Sequence, residues 1–226
     1  MGPALDVVPW PEVPSPATAV VVPLGSTEQH GRHLPFDTDT AVAAELSRRL
    51  VAQCPDFVLA PALAYGASGE HEGFPGTLSI GHEALELVLV ELGRSAARWA
   101  SRLLIVNGHG GNMAPLAAAV DRLRCEGRDA ASWSAAWADG DAHAGRTETS
   151  LMLALRPSAV RLDAAAPGPT MPLSELMPQL RASGVAAVSE SGVLGDPAGA
   201  SAEEGERLLA ELTARLSVAV TAWLAG

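Results

Sequence analysis

Short apolar runs alternate with amphipathic stretches along most of this chain. Ala19-Val20-Val21-Val22-Pro23-Leu24, closed by Gly25, is a β-branched run that predicts a buried strand. Val42, Ala43, Leu46 and Leu50 recur at helical spacing and predict a helix over 39–53. A second buried strand is expected over 57–63, then a helix over 83–100 with Leu85, Val88, Leu89 and Leu92 on one stripe. Leu103-Leu104-Ile105-Val106 forms a third strand within 102–107, stopped by Gly108. A helix follows from Ala114, where Pro115 suits the first turn because its missing N–H would be unpaired there anyway. A strand over 130–137 and a helix over 148–155, ended before Pro157, complete this part. The last helix begins at a capping box, Ser201 with Glu204, and sets Leu209, Leu212, Leu216, Val220 and Trp223 on one face. Proline-rich residues 1–17 predict an irregular opening, and 163–199 shows little pattern. Apolar strands alternating with amphipathic helices argue for an α/β layer fold with a mainly parallel sheet.

The length of 226 residues fits a single domain, 1–226, with a hydrophobic share of 48% able to fill its core. Twenty-six acidic residues against 15 basic ones give a net charge of −11. A surface that negative is repelled by phosphate backbones and anionic membranes, so neither nucleic acid nor membrane is expected as a partner. No apolar run approaches bilayer-spanning length and no leader pattern opens the chain, which points to the cytoplasm. Cys54 and Cys125 stand far apart, so neither a thiolate zinc site nor a disulfide framework is indicated.

Three polar clusters follow strand ends, where open α/β sheets gather their functional groups. They are 25–39 with Glu28, His30, His33 and Asp39, 107–112 with His109 and Asn112, and 141–148 with His143 and Glu148. Each mixes carboxylate or imidazole with glycine. Oxygen and neutral imidazole donors suit zinc, manganese or ferrous iron. Glu28 and His30, two apart, point the same way in an extended segment, one toward each of two ions, and Asp39 could bridge them. Singly, each residue has a plainer reading: a turn histidine, or a helix N-terminal acid for Asp39 and Glu148. Their convergence at three strand ends favours the metal reading.

These residues resemble the creatininase family. The resemblance is carried by Gly-Ser-Thr-Glu-Gln-His-Gly-x-His-Leu-Pro at 25–35, Asp-Thr-Asp at 37–39, Asn-Gly-His-Gly-Gly-Asn at 107–112 and His-Ala-Gly-x-x-Glu-Thr-Ser at 143–150. It implies a single-domain three-layer α/β/α sandwich acting as a two-metal amide hydrolase. One ion would be held by Glu28, Asp39 and His109, the other by His30 and Asp39, with Glu148 as the remaining carboxylate. In creatininase that carboxylate comes two positions after the histidine, where this chain has Gly111, which weighs against creatinine as substrate. His143 matches the family's catalytic histidine and would carry a proton to the leaving amine. Segments 64–77, 172–177, 184–189 and 192–197 resemble the branch that processes the mycofactocin precursor peptide, which implies release of its modified C-terminal Val-Tyr unit. The family also implies a homo-oligomer.

Four further residues are candidates for substrate contact: His33, Glu70, His71 and Asn112. His33 could instead support the site from behind, and Glu70 and His71 could belong to an ordered surface loop. His82 is expected to face solvent, and Trp133 and Trp137 to sit in the core. Two other functions stay open, hydrolysis of a small cyclic amide or formamide and a non-catalytic peptide-binding scaffold. A scaffold has no use for a proton carrier such as His143.

Overall fold

The computed structural model describes residues 2–137 and 140–225. Four strands form one parallel sheet in the order β2-β1-β3-β4: β1 Ala19–Leu24, β2 Phe57–Leu59, β3 Arg102–Asn107 and β4 Asp129–Ser134. The described residues also form six helices, α1 Thr38–Gln53, α2 His82–Ala96, α3 Met113–Cys125, α4 Arg146–Leu155, α5 Leu173–Ser183 and α6 Ala202–Ala225, of which all but α5 pack on the sheet or its layers. The central strands bury both faces, as their unbroken apolar runs require. Val20, Val22, Leu24, Leu103 and Ile105 face α2 and α3, packing on Leu85, Leu89, Leu116 and Leu123. Val21, Leu104 and Val106 face the opposite layer, where Leu46 of α1, Leu151 of α4 and Leu209, Leu212 and Leu216 of α6 meet them. The result is a three-layer α/β/α arrangement.

Several elements depart from the pattern. The second strand ends at Leu59, and only Leu63 rejoins the sheet, through a single bridge to Leu24. Residues 2–17 are not merely irregular. Leu59 donates its N–H to the Pro3 carbonyl at 2.9 Å and its carbonyl accepts from Leu5 at 2.9 Å, so the opening segment covers the edge of β2. Helix α5 lies inside the stretch without clear pattern. It buries only Leu176 and carries Pro178 in its interior, although Leu173, Leu176, Met177 and Leu180 recur at helical spacing. Of the capping box, Ser201 Oγ accepts the Glu204 N–H at 3.2 Å, but the Glu204 carboxylate turns to Ser150 and Arg146 instead. Helix α6 is long and apolar enough to cross a bilayer, with a mean hydropathy of 1.4, contrary to the expectation that no stretch is. Its leucine stripe lies against the sheet, as a layer helix requires. Trp133 and Trp137 pack on the same cluster.

Candidate metal centre

Because the strands are parallel, the loops after β1, β2, β3 and β4 leave from one edge of the sheet. The loop after β1 brings Glu28, Gln29 and His30, and α1 opens directly with Asp39 in its first turn. The loop after β2 brings Glu70 and His71 in the 3-10 turn Gly69–His71. Next to β3 stands His109, and α4 carries Glu148 in its first turn behind His143. Gly108 is needed here: a Cβ on it would lie 2.4 Å from the Asp39 carbonyl, so β3 could not approach α1 this closely with a side chain present. The loop bearing His143 is pinned to the far segment at Leu194 by a reciprocal backbone pair, His143 N–H to Leu194 O at 3.1 Å and Leu194 N–H to His143 O at 2.9 Å. Ala144, wholly buried, adopts a left-handed φ of 53° and aims its N–H at Glu148 Oε2, 2.6 Å away.

The donor atoms fall into interlocking groups. Glu28, Asp39 and His109 form one triad and His30, His143 and Glu148 a second, with donors in each within 4.8 Å of one another; Glu28, His71 and His143 form a third. Asp39 joins the first two: Oδ1 lies 3.1 Å from His30 Nε2 and Oδ2 lies 3.2 Å from His109 Nδ1. Ser26 Oγ donates to Oδ2 at 2.6 Å and steadies the carboxylate. Backbone carbonyls decide which nitrogen each histidine offers. His30 Nδ1 faces Glu28 O at 3.1 Å, His109 Nε2 faces Ala67 O at 3.1 Å and His143 Nε2 faces Gln29 O at 2.8 Å. A nitrogen beside a carbonyl must carry a proton, so His30 Nε2, His109 Nδ1 and His143 Nδ1 are the nitrogens whose lone pairs become available when each ring is neutral.

Protonation follows from this crowding. Burial opposes a charge on His30, but the Asp39 carboxylate with Glu148 and Glu28 outweighs it and lifts the pKa to about 10. His109 is raised well above its ordinary value against the same burial, chiefly by Glu28 and Asp39. Burial pushes Glu148 up to about 7. His143 is held well below its ordinary value by burial and by the charge on His30. Glu28 is the most telling residue for a cation. It is wholly buried and neither of its oxygens has a hydrogen-bond partner. A buried carboxylate so placed is costly unless a positive charge faces it. The donor set fits divalent ions by its chemistry, carboxylate oxygen and imidazole nitrogen without thiolate.

The centre floors a cavity of about 460 Å³ that Glu28, Asp39, Glu70, His71, His109 and His143 line from one side. Leu173, Met177 and Leu180 of α5, with Val185 and Leu194, wall it from the other. The creatininase model, described as creatinine amidohydrolase, matches residues 8–220. The chain belongs to the creatininase family. A protein of Mycolicibacterium smegmatis named mycofactocin precursor peptide peptidase is 57% identical over 209 residues, 90% of this chain and 85% of its own. A solved manganese creatininase superposes with a TM-score of 0.83 at 26% identity, covering 97% of this chain and 98% of its own. A mutant creatininase described as Zn-Zn type gives 0.82 at 26% identity and covers 96% of each. As a member of that family, the chain is a hydrolase of C–N amide bonds.

Of the residues singled out in the sequence, Glu28, His30, Asp39, His109, His143 and Glu148 converge, and Glu70 and His71 join them at the cavity. His33 and Asn112 do not line it. His33 is buried behind α4, its Nε2 2.9 Å from Thr149 Oγ1. Asn112 braces three loops: its Oδ1 accepts from Ala67 N at 2.8 Å, while Nδ2 donates to Gly25 O at 2.9 Å and Asn107 Oδ1 at 3.0 Å. His82, though exposed, borders the cavity mouth. Sequence reasoning passed over Gln29, whose amide reaches three loops. Its only signal was its place between two candidate ligands.

Proposed function

We propose that this chain, acting as one domain, is a two-metal peptidase that cleaves the mycofactocin precursor peptide to release its modified C-terminal Val-Tyr unit. The observation that carries the reading is Asp39, one oxygen toward His30 and the other toward His109. A single carboxylate presenting one oxygen to each of two donor groups could serve as a ligand common to both. Glu28, Asp39 and His109 would hold one ion and His30, Asp39 and Glu148 the other. Zinc, manganese and ferrous iron all suit these donors. When bound, two divalent ions supply a water of lowered pKa and positive charge against the developing oxyanion.

The chain's own residues do the rest. His143, with its Nε2 proton committed to Gln29 O, has Nδ1 free to take a proton and deliver it to the leaving amine. Glu148 is kept in place by the Ala144 N–H. The leucine and methionine wall from α5 excludes water and accommodates an apolar leaving group. The reading extends to a cytoplasmic homo-oligomer, which light scattering on the purified protein checks.

Mass spectrometry of the metal-loaded protein mixed with the modified precursor peptide tests the function. Release of the two-residue fragment, abolished by chelation and by Glu148→Gln, is the expected result. Hydrolysis of creatinine or a formamide with the peptide left intact would sink the peptidase reading and keep the centre. No turnover of either would leave the scaffold.

A further inference from the structure

Four histidines face one another in this centre, and three of them have a ring nitrogen held by a backbone carbonyl. The fourth, His71, has no carbonyl partner; its Nδ1 meets the side-chain nitrogen of Gln29 at 2.9 Å. The orientation of that amide is fixed on its other side. Gln29 Oε1 accepts the Gly31 N–H at 2.8 Å, so the nitrogen must point the opposite way, toward His71 Nδ1, Gly192 O at 3.1 Å and His143 Nε2 at 3.2 Å, the last itself a donor whose proton is directed at Gln29 O. Two N–H bonds meet two acceptors, and Nδ1 of His71 must therefore carry a lone pair. A neutral imidazole with a lone pair on Nδ1 bears its proton on Nε2, which faces Glu28 Oε1 at 3.3 Å. The setting is built for this amide. Gln29 is 4% exposed, Gly31 and Gly192 flank it in left-handed conformations, and a Cβ on Gly192 would lie 1.9 Å from Gln29 Oε1.

We propose that Gln29 is a positioning residue that keeps the proton of His71 on Nε2, so that His71 presents an N–H toward Glu28, 3.3 Å away, and is not a metal ligand. The consequence is a count. By distance alone, Glu28, His71 and His143 could take an ion as the other two triads could. With a proton on His71 Nε2, that third group lacks a ligand. Gln29 thus limits the centre to two ions.

The inference rests on the two-ion reading above, and the test separates the two. Gln29→Glu replaces a donor by an acceptor, so His71 must turn its proton to Nδ1 and expose Nε2. The purified full-length protein is loaded with excess zinc, freed of unbound metal and analysed by elemental mass spectrometry, and imidazole tautomers are read from ¹⁵N–¹H correlation spectra. The wild type should hold about two ions per chain with His71 in the Nε2–H form, and Gln29→Glu about three. Adding His71→Ala to Gln29→Glu should return the count to about two. A wild type that holds three ions and loses one on His71→Ala would overturn the proposal, as would a Gln29→Glu protein with no extra ion and an unchanged His71 tautomer. Fewer than two ions in the wild type would instead remove the two-ion reading, while the His71 spectrum still judges Gln29. If Gln29→Glu does not fold, Gln29→Met removes the donor without adding charge. His71 should then lose its single tautomer, and retention of the Nε2–H form would refute the assignment.

Discussion

Glu28→Gln is a substitution whose effect on stability should reverse sign with metal. The carboxylate is wholly buried, neither oxygen is hydrogen-bonded, and its nearest polar neighbours are His109 Nε2 at 3.2 Å and His71 Nε2 at 3.3 Å. Leaving such a charge without a full partner costs on the order of 3–5 kcal/mol, of which attraction to a protonated His109 recovers part. Replacing it with a neutral amide of the same shape should therefore stabilise the chelated protein by roughly 1–2 kcal/mol. For a chain of this size that is a rise in Tm of about 2–8 °C. With metal present the order inverts. A ligand at one hundred times its Kd stabilises by about 2.7 kcal/mol, and the variant forfeits most of that at the Glu28 site. Differential scanning calorimetry of both proteins, with chelator and with excess zinc, reads the four melting points. The reasoning fails if the variant is destabilised by a similar amount in both conditions. Glu28 would then serve the fold through His109 and owe nothing to an ion.

Metal uptake at pH 7 should release protons, because His30 with a pKa of about 10 and the raised His109 are both charged in the metal-free protein. Calorimetric titration in buffers of different ionisation enthalpy should count about two to three protons per chain, one each from His30 and His109 and a fraction from Glu148, with affinity increasing as pH increases. The same pair fixes a sign for the chelated protein: the stability that charged His30 contributes is complete below about pH 6.5 and is lost as pH rises through about 10, which urea titrations at pH 6 and 9.5 would show as falling stability. Asn112→Ala removes the acceptor of Ala67 N–H and the donor to Gly25 O and Asn107 Oδ1, and should lower unfolding free energy by about 2–4 kcal/mol in urea; a loss under 1 kcal/mol would mean the brace is dispensable. Leu176→Ala strips α5 of its buried anchor beside Val185 and Leu194. Hydrogen exchange over 173–183 should quicken while the global melting point moves by only about 2 °C, because few contacts tie α5 to the layers.

The layers were legible where burial on both faces wrote itself into the sequence. Val20 to Leu24 and Leu103 to Val106 are apolar at every position because α2 and α3 cover one side and α1, α4 and α6 the other. The donor residues were legible for a related reason, since glycine-rich segments behind parallel strands converge on one edge. What stayed hidden depends on partners distant in sequence. Helix α5 carries helical spacing at Leu173, Leu176, Met177 and Leu180, but an interior proline and flanking prolines and glycines masked it, and only Leu176 is buried. Asn112 and His33 carried the same kinds of polar atoms as the cavity residues. Only contacts to Ala67 and Thr149, 45 and 116 positions away, turn them into braces.

Charge balance explains why so acidic a centre can be the working part of an already negative chain. Glu28, Asp39 and Glu148 bring three negative charges to one cavity, and the structure answers them in the metal-free state by protonating His30 and His109 and by raising Glu148 to about 7. Two divalent ions carry four positive charges, which displace those protons and leave one unit of excess beside the three carboxylates. That excess lies where an amide carbonyl would gather negative charge on hydrolysis. Glu70, 3.4 Å from His109 Nε2, is a fourth carboxylate that could cancel it, but it is a third exposed and sits on the cavity side of His109, where solvent screens it. The three fully enclosed carboxylates therefore set the charge of the centre. The backbone carbonyls of Glu28, Gln29 and Ala67, which cannot titrate, determine which histidine lone pairs face it.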